Sequence, residues 1–416
     1  MAPMKVLIVG AGIAGNCMAF WLAKLGYDIT VIERFPELRA SGLQIDLRGH
    51  GIEVLRRMGL EQAFRERSAP ELGLEVVDGS GRRRGYFPAN TSGQGRQSFT
   101  SELEIMRSEM TRLLHGAVKD RVKFVFGTTI ERLDQKHDDD SVEVRFSDGK
   151  TDRFDLVVGA DGLWSRTRRT AFGPQGYHPL NQQYVAYFLL PRPIKEGEQY
   201  IATAHLGTQN RAMMLRRSSP DQIQVYLGCT GQSERLRNAR RGDVEEEKAA
   251  LAEVFQGTGW RMPEMVQALG ETDDFYCERV GLVKLDSWSR GRVTLVGDAA
   301  YCPSPNRGMG TTSAMVGAYI LAGEIAQHCG SNMKGTKKGG LAAALKSYQE
   351  KFEPFIKQAT KGVEKSGYVP SSPFTLFIMY LLVQLVSFLR IDIFGHFFST
   401  EDVKGWDLPD YPELRV

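Results

Sequence analysis

The chain opens with short apolar runs separated by a helical pattern. Residues 5–9 predict a strand, because 6–9 are a continuous apolar run rich in β-branched side chains, typical of a parallel strand buried on both faces. Apolar residues recur at helical spacing over residues 14–25, Gly26 supplies a stop, and residues 28–32 predict a second strand. These elements, within about 30 residues, predict a βαβ unit.

Two later regions alternate between apolar and polar positions instead. Residues 74–77 and 83–86 flank a turn sequence at 78–81 and predict a β-hairpin. Alternation returns over residues 177–280, interrupted by a charged stretch at 233–250 that predicts a solvated helix. We interpret these regions as an antiparallel sheet inserted into a mixed α/β domain. Between the two regions, the pattern predicts a helix at 103–114 and strands at 122–126, 142–146 and 154–158.

The C-terminal part combines one more buried strand with long helical patterns. Residues 293–296 predict the strand, and residues 312–327 and 341–364 predict helices. Residues 374–389 are an uncharged apolar run, shorter than the roughly 20 residues that span a bilayer. We interpret this run as a helix that packs across the inserted sheet and guards a pocket there. Membrane contact through 374–389, as a peripheral association, is the less favoured alternative.

Composition narrows the classes of partner. The 416 residues suggest two to three domains at about 150 residues each. A formal charge of +3 is too balanced to favour nucleic acid. The five cysteines and seven histidines show no metal-ligand spacing, so we expect no metal site. The scattered cysteines favour a reducing compartment, and the apolar run at 6–9 is too short for a signal peptide, so we expect a cytoplasmic protein. The 44 glycines exceed the roughly 29 that average usage gives, which suggests structural roles.

The turn after the first strand carries the motif G-A-G-I-A-G at residues 10–15. In such a turn the first glycine allows the sharp bend, the second lets the backbone approach a pyrophosphate, and the third lets helix and strand pack closely. Glu33 lies 18 residues after Gly15, at the end of the second predicted strand, where a carboxylate can accept both hydroxyls of a ribose. The motif predicts dinucleotide binding and leaves FAD and NAD open.

Two further motifs follow predicted strands. Asp161-Gly162 begins a D-G-x-x-S-x-x-R sequence, which on its own is most often an ordinary turn. Gly297-Asp298 follows the strand at 293–296, and residues 308–312 open the next predicted helix. A carboxylate at a strand end can accept a polyol hydroxyl, and a helix N-terminus can face negative charge on a ring carbonyl.

Together the three motifs resemble those of the class A FAD-dependent monooxygenases, the aromatic hydroxylases typified by p-hydroxybenzoate hydroxylase. The motifs follow the family's order within residues 1–360, and Arg107 matches the family's FAD-contacting arginine. The sequence at 297–305 is most similar to that of the tetracycline-inactivating monooxygenases, which inactivate antibiotics. The resemblance implies an α/β fold with a Rossmann-like FAD-binding domain of the GR2 type, an inserted antiparallel β-sheet substrate domain and C-terminal helices. The boundaries we expect are 1–72, 101–176 and 281–340 for the FAD-binding domain, 73–100 and 177–280 for the substrate domain, and 341–416 for the C-terminal helical region.

The resemblance also implies site residues. Asp298 would hold the ribitol of FAD, and Arg48 would lie beside the isoalloxazine. Tyr301, Met309 and Thr312 stand where many phenol hydroxylases have His, Gln and Asn, so the details of the flavin pocket differ from theirs. The expected FAD-binding residues are Gly10, Gly12, Ile13, Ala14, Gly15, Glu33, Arg34, Gln44, Asp46, Arg48, Arg107, Asp161, Asp298, Gly308, Gly310, Thr311 and Thr312. No catalytic base is assigned, and the residues expected nearest the reacting flavin are Arg48, Pro303 and Pro305.

The family's reaction implies that NADPH or NADH reduces a tightly, non-covalently bound FAD. Oxygen then adds to form a flavin C4a-hydroperoxide that hydroxylates the substrate. We expect a phenolic, polycyclic or polyketide-like small molecule, with tetracyclines as candidates, and a monomeric or dimeric enzyme. A reductase or dehydrogenase of the same fold and a non-catalytic flavin-binding protein are the alternatives. Loose alignment places substrate contacts at Tyr187, Met214 and Arg216; the competing interpretation is that the methionines are core and the arginines solvated.

Overall fold

The secondary structure is given for the residues that the computed structural model describes, which are 3–38, 42–89, 104–135, 140–231, 233–304, 308–330, 339–363, 370–389, 403 and 405–415. The strands in chain order are β1 (Lys5–Val9), β2 (Asp28–Glu33), β3 (Gln44–Asp46), β4 (Gly73–Val77), β5 (Arg83–Pro88), β6 (Glu104–Met106), β7 (Lys123–Phe126), β8 (Ile130–Asp134), β9 (Val142–Phe146), β10 (Thr151–Phe154), β11 (Leu156–Gly159), β12 (Tyr177–Pro191), β13 (Ile201–Leu206), β14 (Arg211–Ser219), β15 (Gln222–Thr230), β16 (Phe275–Val283), β17 (Ser289–Arg290) and β18 (Val293–Leu295). The helices are α1 (Ile13–Lys24), α2 (His50–Arg57), α3 (Glu61–Arg65), α4 (Arg107–Gly116), α5 (Arg166–Phe172), α6 (Glu234–Asn238), α7 (Val244–Phe255), α8 (Met262–Glu271), α9 (Asp298–Tyr301), α10 (Gly310–Cys329), α11 (Gly340–Thr360) and α12 (Pro373–Phe388), with a 3-10 turn at Pro412–Leu414.

The N-terminal βαβ unit forms the centre of a six-stranded sheet. Its strand order is β17-β18-β11-β1-β2-β7, and all neighbours are parallel except the edge pair of β17 and β18. One face packs on α1 and α10, and the other on the three-stranded sheet β10-β9-β8, which is why residues 6–9 of β1 are apolar. Because the strands are parallel, the turns after β1, β2, β11 and β18 lie together at one edge.

The alternating regions form a separate seven-stranded sheet of order β16-β12-β15-β14-β13-β4-β5. All its pairs are antiparallel except that of β13 with β4. One face packs on α7 and α8, with Met213, Leu215 and Leu227 in the shared core. The opposite face, which we call the inner face, contacts the β3 segment, because the backbone N–H of Gln44 donates to Oε1 of Gln224 at 2.9 Å. The mixed α/β fold class predicted from sequence is therefore confirmed.

Two elements differ from their sequence predictions. Residues 154–158 are predicted as one strand, but the chain divides at Asp155 into β10 and β11, which belong to different sheets. The Asp155 carboxylate accepts a hydrogen bond from the backbone N–H of Lys5 at 2.7 Å and so stabilises the point where the chain passes from one sheet to the other. Residues 104–106, predicted as helical, form β6 and pair with β3. A three-residue strand is shorter than one helical turn, so periodicity cannot detect it.

The C-terminal helices cover both units of the fold. α11 packs on α10, and α12 packs on the β4–β5 end of the inner face through Tyr380 and Val383, which contact Val76 and Phe87. In the part of the chain that is described, no helix combines the length and apolar character needed to cross a bilayer.

Candidate active site

The turn after β1 has two positions where only glycine fits. A Cβ on Gly15 would lie 1.9 Å from the carbonyl oxygen of Gly10. A Cβ on Gly10, whose φ is +109°, would lie 2.6 Å from the carbonyl oxygen of Ala160. A Cβ on Gly12, in contrast, would meet no protein atom within 4 Å, and α1 begins there without a side-chain cap. The turn therefore offers an open approach to the N–H groups of a helix N-terminus, as a pyrophosphate requires.

Glu33 stands beside this turn at the end of β2. Its Oε2 accepts a hydrogen bond from the backbone N–H of Ala11 at 3.0 Å, and its Oε1 accepts one from Phe35 at 3.1 Å. These bonds fix a partly exposed carboxylate next to the glycine turn, in the position predicted for a ribose contact. Arg34 is exposed, with its guanidinium 4.7 Å from the ring centroid of Phe35.

The turn after β18 packs directly on the first helix. Gly297 has φ +69°, and a Cβ there would lie 2.9 Å from the Cβ of Ala14. Asp298 follows at the start of α9 and is partly exposed. Burial raises the pKa of Asp298, while the nearby Arg107 guanidinium opposes this rise. The predicted ribitol contact and the predicted arginine anchor, 191 positions apart in the chain (107 and 298), are therefore electrostatic neighbours.

The N-terminus of α10 faces the same space. Gly310 is its first residue, and the nearest atom to a Cβ built on Gly310 would be Oδ1 of Asp298 at 3.9 Å. No side chain caps the helix, and the buried Oγ of Ser313 in its first turn has no hydrogen-bond partner among the described residues. An uncapped helix N-terminus beside a carboxylate can bind a group that carries both negative charge and hydroxyls. Ile13 and Thr311 lie in the first turns of α1 and α10, respectively.

The β3 segment joins this region through Arg48 and Thr312. The Oγ1 of Thr312 accepts a hydrogen bond from the backbone N–H of Arg48 at 3.1 Å and lies 3.2 Å from its carbonyl oxygen, to which it can donate. The Arg48 Nε donates to Asp46 at 2.7 Å, and a Cβ on Gly308 would lie 3.3 Å from that carboxylate. Thr312 therefore binds backbone, which gives the departure from Asn a structural role.

The Asp161 carboxylate is used mainly within its own turn. It accepts hydrogen bonds from the Ser165 hydroxyl and from both the backbone N–H and the hydroxyl of Thr167, at 2.5, 2.9 and 3.0 Å. The buried Arg168 guanidinium donates to the carbonyl oxygens of Leu163 and Ala299, and so ties the D-G turn to the G-D turn. The D-G-x-x-S-x-x-R spacing thus builds a rigid connection, and FAD contact at Asp161 stays a prediction.

Three tyrosines form a row on the inner face. Tyr187 of β12 lies opposite Tyr226 of β15 and Tyr276 of β16 in the sheet register, with ring centroids 5.1 and 6.5 Å from its own. The row continues with Met214, the register partner of Tyr226. Burial raises the pKa of Tyr226 to about 12 and that of Tyr187 well above its ordinary value, so both are neutral phenols. The three rings line one cavity with Arg107.

Arg216 lies two residues beyond Met214 but is occupied by other partners. It is 9% exposed, and its guanidinium donates to both carboxylate oxygens of Glu71 at 2.7 Å and also to Glu104. Glu104 accepts a further hydrogen bond from the Gln44 side chain at 2.7 Å. The interpretation of Arg216 as solvated is therefore wrong. Substrate contact at Arg216 stays a prediction, and the structure shows that it joins the inner face to the β3–β6 pair.

Sequence reasoning missed Glu278, which lies beside the tyrosine row. Its Oε1 accepts a hydrogen bond from Nε1 of Trp164 at 3.0 Å, and its Oε2 accepts one from the Tyr276 hydroxyl. Burial raises the pKa of Glu278, and these two hydrogen bonds oppose the rise. Strand alternation offered a signal, because residues 276 and 278 must share a face. The hydrogen bond from Trp164, which follows the D-G turn, could not be predicted from the sequence, because the two residues lie far apart in the chain.

The loop between the G-D turn and α10 contains the residues predicted nearest the flavin. Pro303 is buried, and Ser304 has φ +72°, a strained conformation for a residue with a side chain. Pro305 lies outside the described residues. Burial raises the pKa of the Cys302 thiol well above its ordinary value, which supports a packing role for Cys302 rather than a redox role.

Comparison with known proteins assigns this arrangement to a family. Residues 3–363 match the family model described as FAD binding domain. The chain is 48% identical to the FAD-dependent monooxygenase asL4 of Sarocladium schorii over 100% of this chain and 99% of that protein. It is 39% identical to the flavin-dependent monooxygenase eupH of Phoma sp, over 86% of this chain and 85% of that protein. The crystal structure of tetracycline destructase Tet(51) superposes with a TM-score of 0.78 at 29% identity, covering 98% of this chain and 100% of that one. The chain therefore belongs to the FAD binding domain family and is an FAD-dependent monooxygenase.

Proposed function

We propose that this monooxygenase takes its electrons from NADPH or NADH and hydroxylates a phenolic, polycyclic or polyketide-like small molecule of secondary metabolism. The observation that carries the proposal is the row of Tyr187, Tyr226 and Tyr276, which lines a small cavity together with Arg107, the proposed cofactor anchor. Stacked and edge-to-face tyrosines favour a flat, electron-rich ring. The Tyr187 phenol can also donate a hydrogen bond to an oxygen substituent, whereas the Tyr226 and Tyr276 hydroxyls donate to Gln224 and Glu278.

FAD fits the residues at the edge of the parallel sheet. The open space before Gly12 and the uncapped start of α1 suit the pyrophosphate, and Glu33 suits the adenosine ribose. Asp298 and the uncapped start of α10 suit the ribitol and the ring carbonyl. The chemistry that FAD supplies when bound is acceptance of a hydride and activation of O2, with one oxygen atom going to the substrate and the other to water.

The chain's own residues supply orientation and exclusion of water. Arg216 holds Glu71 and Glu104 together and so joins the inner face to the β3–β6 pair beside the cavity's Gln224. Tyr187 and Tyr226 are neutral at physiological pH and can orient a phenolic substrate without deprotonating it. A dry and shaped cavity limits wasteful reaction of O2 with reduced flavin.

The relatives support the substrate class. The 48% identical protein and the 39% identical protein are fungal monooxygenases, and the structural match at 29% identity is a tetracycline destructase. We therefore propose tetracyclines, anthraquinones and smaller phenols as the first compounds to examine. Each contains an aromatic ring on which the tyrosine row can stack, and oxygen substituents that can take part in hydrogen bonds.

The test is substrate-stimulated NADPH oxidation with parallel O2 uptake over this panel. We expect at least one compound to stimulate both rates and to gain one oxygen atom. Bleaching of the flavin by NADPH without O2 uptake in the presence of any substrate would favour a reductase or dehydrogenase. No bleaching by NADPH or NADH under anaerobic conditions would favour a non-catalytic flavoprotein.

A further inference from the structure

The outward face of α12 is apolar along its whole length. Phe374, Phe377, Leu381, Leu385 and Phe388 recur at spacings of three and four residues, which places them on one side of the helix. Their exposed fractions lie between 45% and 84%. The helix contains no charged residue. We call these five side chains the α12 stripe; a contiguous apolar surface of this kind marks an interaction site.

The helix is firmly held with the α12 stripe outward. The Tyr380 hydroxyl lies 2.8 Å from the carbonyl oxygen of Leu206, to which it donates, and the Ser387 hydroxyl accepts from the backbone N–H of Tyr86 at 2.9 Å. A Cβ on Gly85 would lie 2.7 Å from the Val383 side chain, so the helix lies against the strand. The exposure of the α12 stripe is therefore a property of a docked helix rather than of a frayed one.

Positive charge lies beside the helix. Arg84 of β5 lies on the strand against which α12 packs, and Arg82, just before that strand, is exposed. The Arg84 guanidinium lies 5.8 Å from the ring centroid of Tyr380 in α12, and it also pairs with Asp78. Arg83 lies on the opposite face of the sheet and pairs with Glu75. An apolar helix face with Arg82 and Arg84 beside it is complementary to a surface with an acyl region and anionic headgroups.

The dimensions of the α12 stripe argue against a second copy of the chain as its partner. A helix of 16 residues is about 24 Å long and about 10 Å wide, so its outward side covers roughly 240 Å². A stable protein interface buries about 800 Å² per partner. The same length is less than the roughly 30 Å of a bilayer core, so the helix suits lying in a membrane surface rather than spanning it.

We propose that α12 docks this enzyme on an anionic lipid surface, with the α12 stripe in the acyl boundary and Arg82 and Arg84 at the headgroups. The placement has a consequence that rests on the proposed function. α12 covers one end of the inner face, and the tyrosine row lies on the same face, because Val76, Ala204, Met214 and Tyr226 are successive register partners. A docked enzyme thus holds its substrate face next to the phase in which an apolar polycyclic compound dissolves.

The test is flotation of the purified, FAD-loaded full chain with vesicles of phosphatidylcholine containing about 30% phosphatidylserine. We expect the wild type to float with these vesicles and to bind less to pure phosphatidylcholine. The variant F377S/L381S/L385S should bind at least about tenfold less, because three side chains leave the acyl boundary. The matched control I194S/V244S removes exposed apolar side chains elsewhere and should bind like wild type. The variant R82E should lose only the preference for anionic vesicles.

The flavin absorbance of each variant shows that it is folded, and vesicle binding needs neither substrate nor turnover. Failure of this proposal is therefore distinguishable from failure of the proposed function. Wild-type protein that stays unbound overturns lipid docking, whether it sediments as a monomer or as a dimer joined through the α12 stripe. Equal binding of the wild type and of F377S/L381S/L385S also overturns it.

Discussion

The edge of the parallel sheet and the inner face of the antiparallel sheet present different kinds of group to a ligand. At the parallel edge the site is mostly backbone, with glycine turns and two uncapped helix N-termini around Asp298. On the inner face the site is side chains, with a tyrosine row and the ion pairs of Arg216. A backbone site depends on a few adjacent residues, whereas a side-chain site collects residues from distant parts of the chain. The first is therefore conspicuous in sequence, and the second becomes visible only in the fold.

The largest effect we expect is from breaking the buried ion pairs that join the inner face to the β3–β6 pair. Arg216→Met leaves the Glu71 and Glu104 carboxylates buried without their cation, which should cost about 3–5 kcal/mol of unfolding free energy. Urea denaturation followed by tryptophan fluorescence measures this loss.

The triple variant Glu71→Gln, Glu104→Gln and Arg216→Met is the rescue. It removes the uncompensated charges and should regain much of the lost stability. Arg153→Met, which breaks an exposed ion pair with Glu143, should change stability little. Equal, small losses for Arg216→Met and Arg153→Met would show that these ion pairs do not hold the inner face to the β3–β6 pair.

The next prediction distinguishes the stability of the fold at the parallel edge from its affinity for FAD. A Cβ on Gly12 meets no protein atom, so Gly12→Ala should leave the stability of the FAD-free protein unchanged. The methyl group would stand where the pyrophosphate approaches, and FAD affinity should fall about 100-fold, or about 2.7 kcal/mol. Flavin fluorescence titration of the apoprotein measures the affinity. Gly270→Ala in α8, also without neighbours, is the control and should bind FAD normally; equal FAD affinity in both variants would remove the pyrophosphate from this turn.

A smaller effect tests which face of β14 serves the substrate. Met214→Ala should change KM for the active compound by up to about tenfold, with under about 1 kcal/mol change in stability, because Met214 is half-buried beside Tyr226. Met213→Ala on the opposite face should instead cost about 2–5 kcal/mol of stability and leave KM unchanged. Steady-state kinetics and thermal unfolding of both variants decide the assignment. The reverse pattern would place the substrate on the face of Met213 and contradict the assignment to the inner face.

The smallest effect concerns pH. Because burial raises the pKa of Glu278 in the folded state, ionisation of Glu278 costs stability as pH rises from the ordinary Glu value near 4.3 through the raised folded value. Glu278→Gln removes that cost, so its melting temperature relative to wild type should be higher by a few degrees at pH 8 than at pH 4. Glu264→Gln, at an exposed ion pair, is the control. A difference that does not change with pH would show that Glu278 ionises normally.

The sequence was informative where function depends on local backbone. The motif at 10–15, Glu33 and the G-D turn could be placed because strand, turn and helix signals are adjacent in the chain, and the structure brings those turns to one edge. The ion pairs of Arg216 could not be predicted, because its two carboxylates lie 145 and 112 residues away. The division of residues 154–158 at Asp155 was also missed, since apolar residues lie on both sides of Asp155 and only the sheet assignment separates the two strands.

The most direct test of the account is reaction under oxygen-18 gas with NADPH and the panel of phenols, anthraquinones and tetracyclines, analysed by mass spectrometry. The account predicts that at least one compound gains a single oxygen-18 atom for each NADPH oxidised under well-coupled conditions. NADPH oxidation that yields only hydrogen peroxide with every compound, or a product whose added oxygen comes from water, would contradict it.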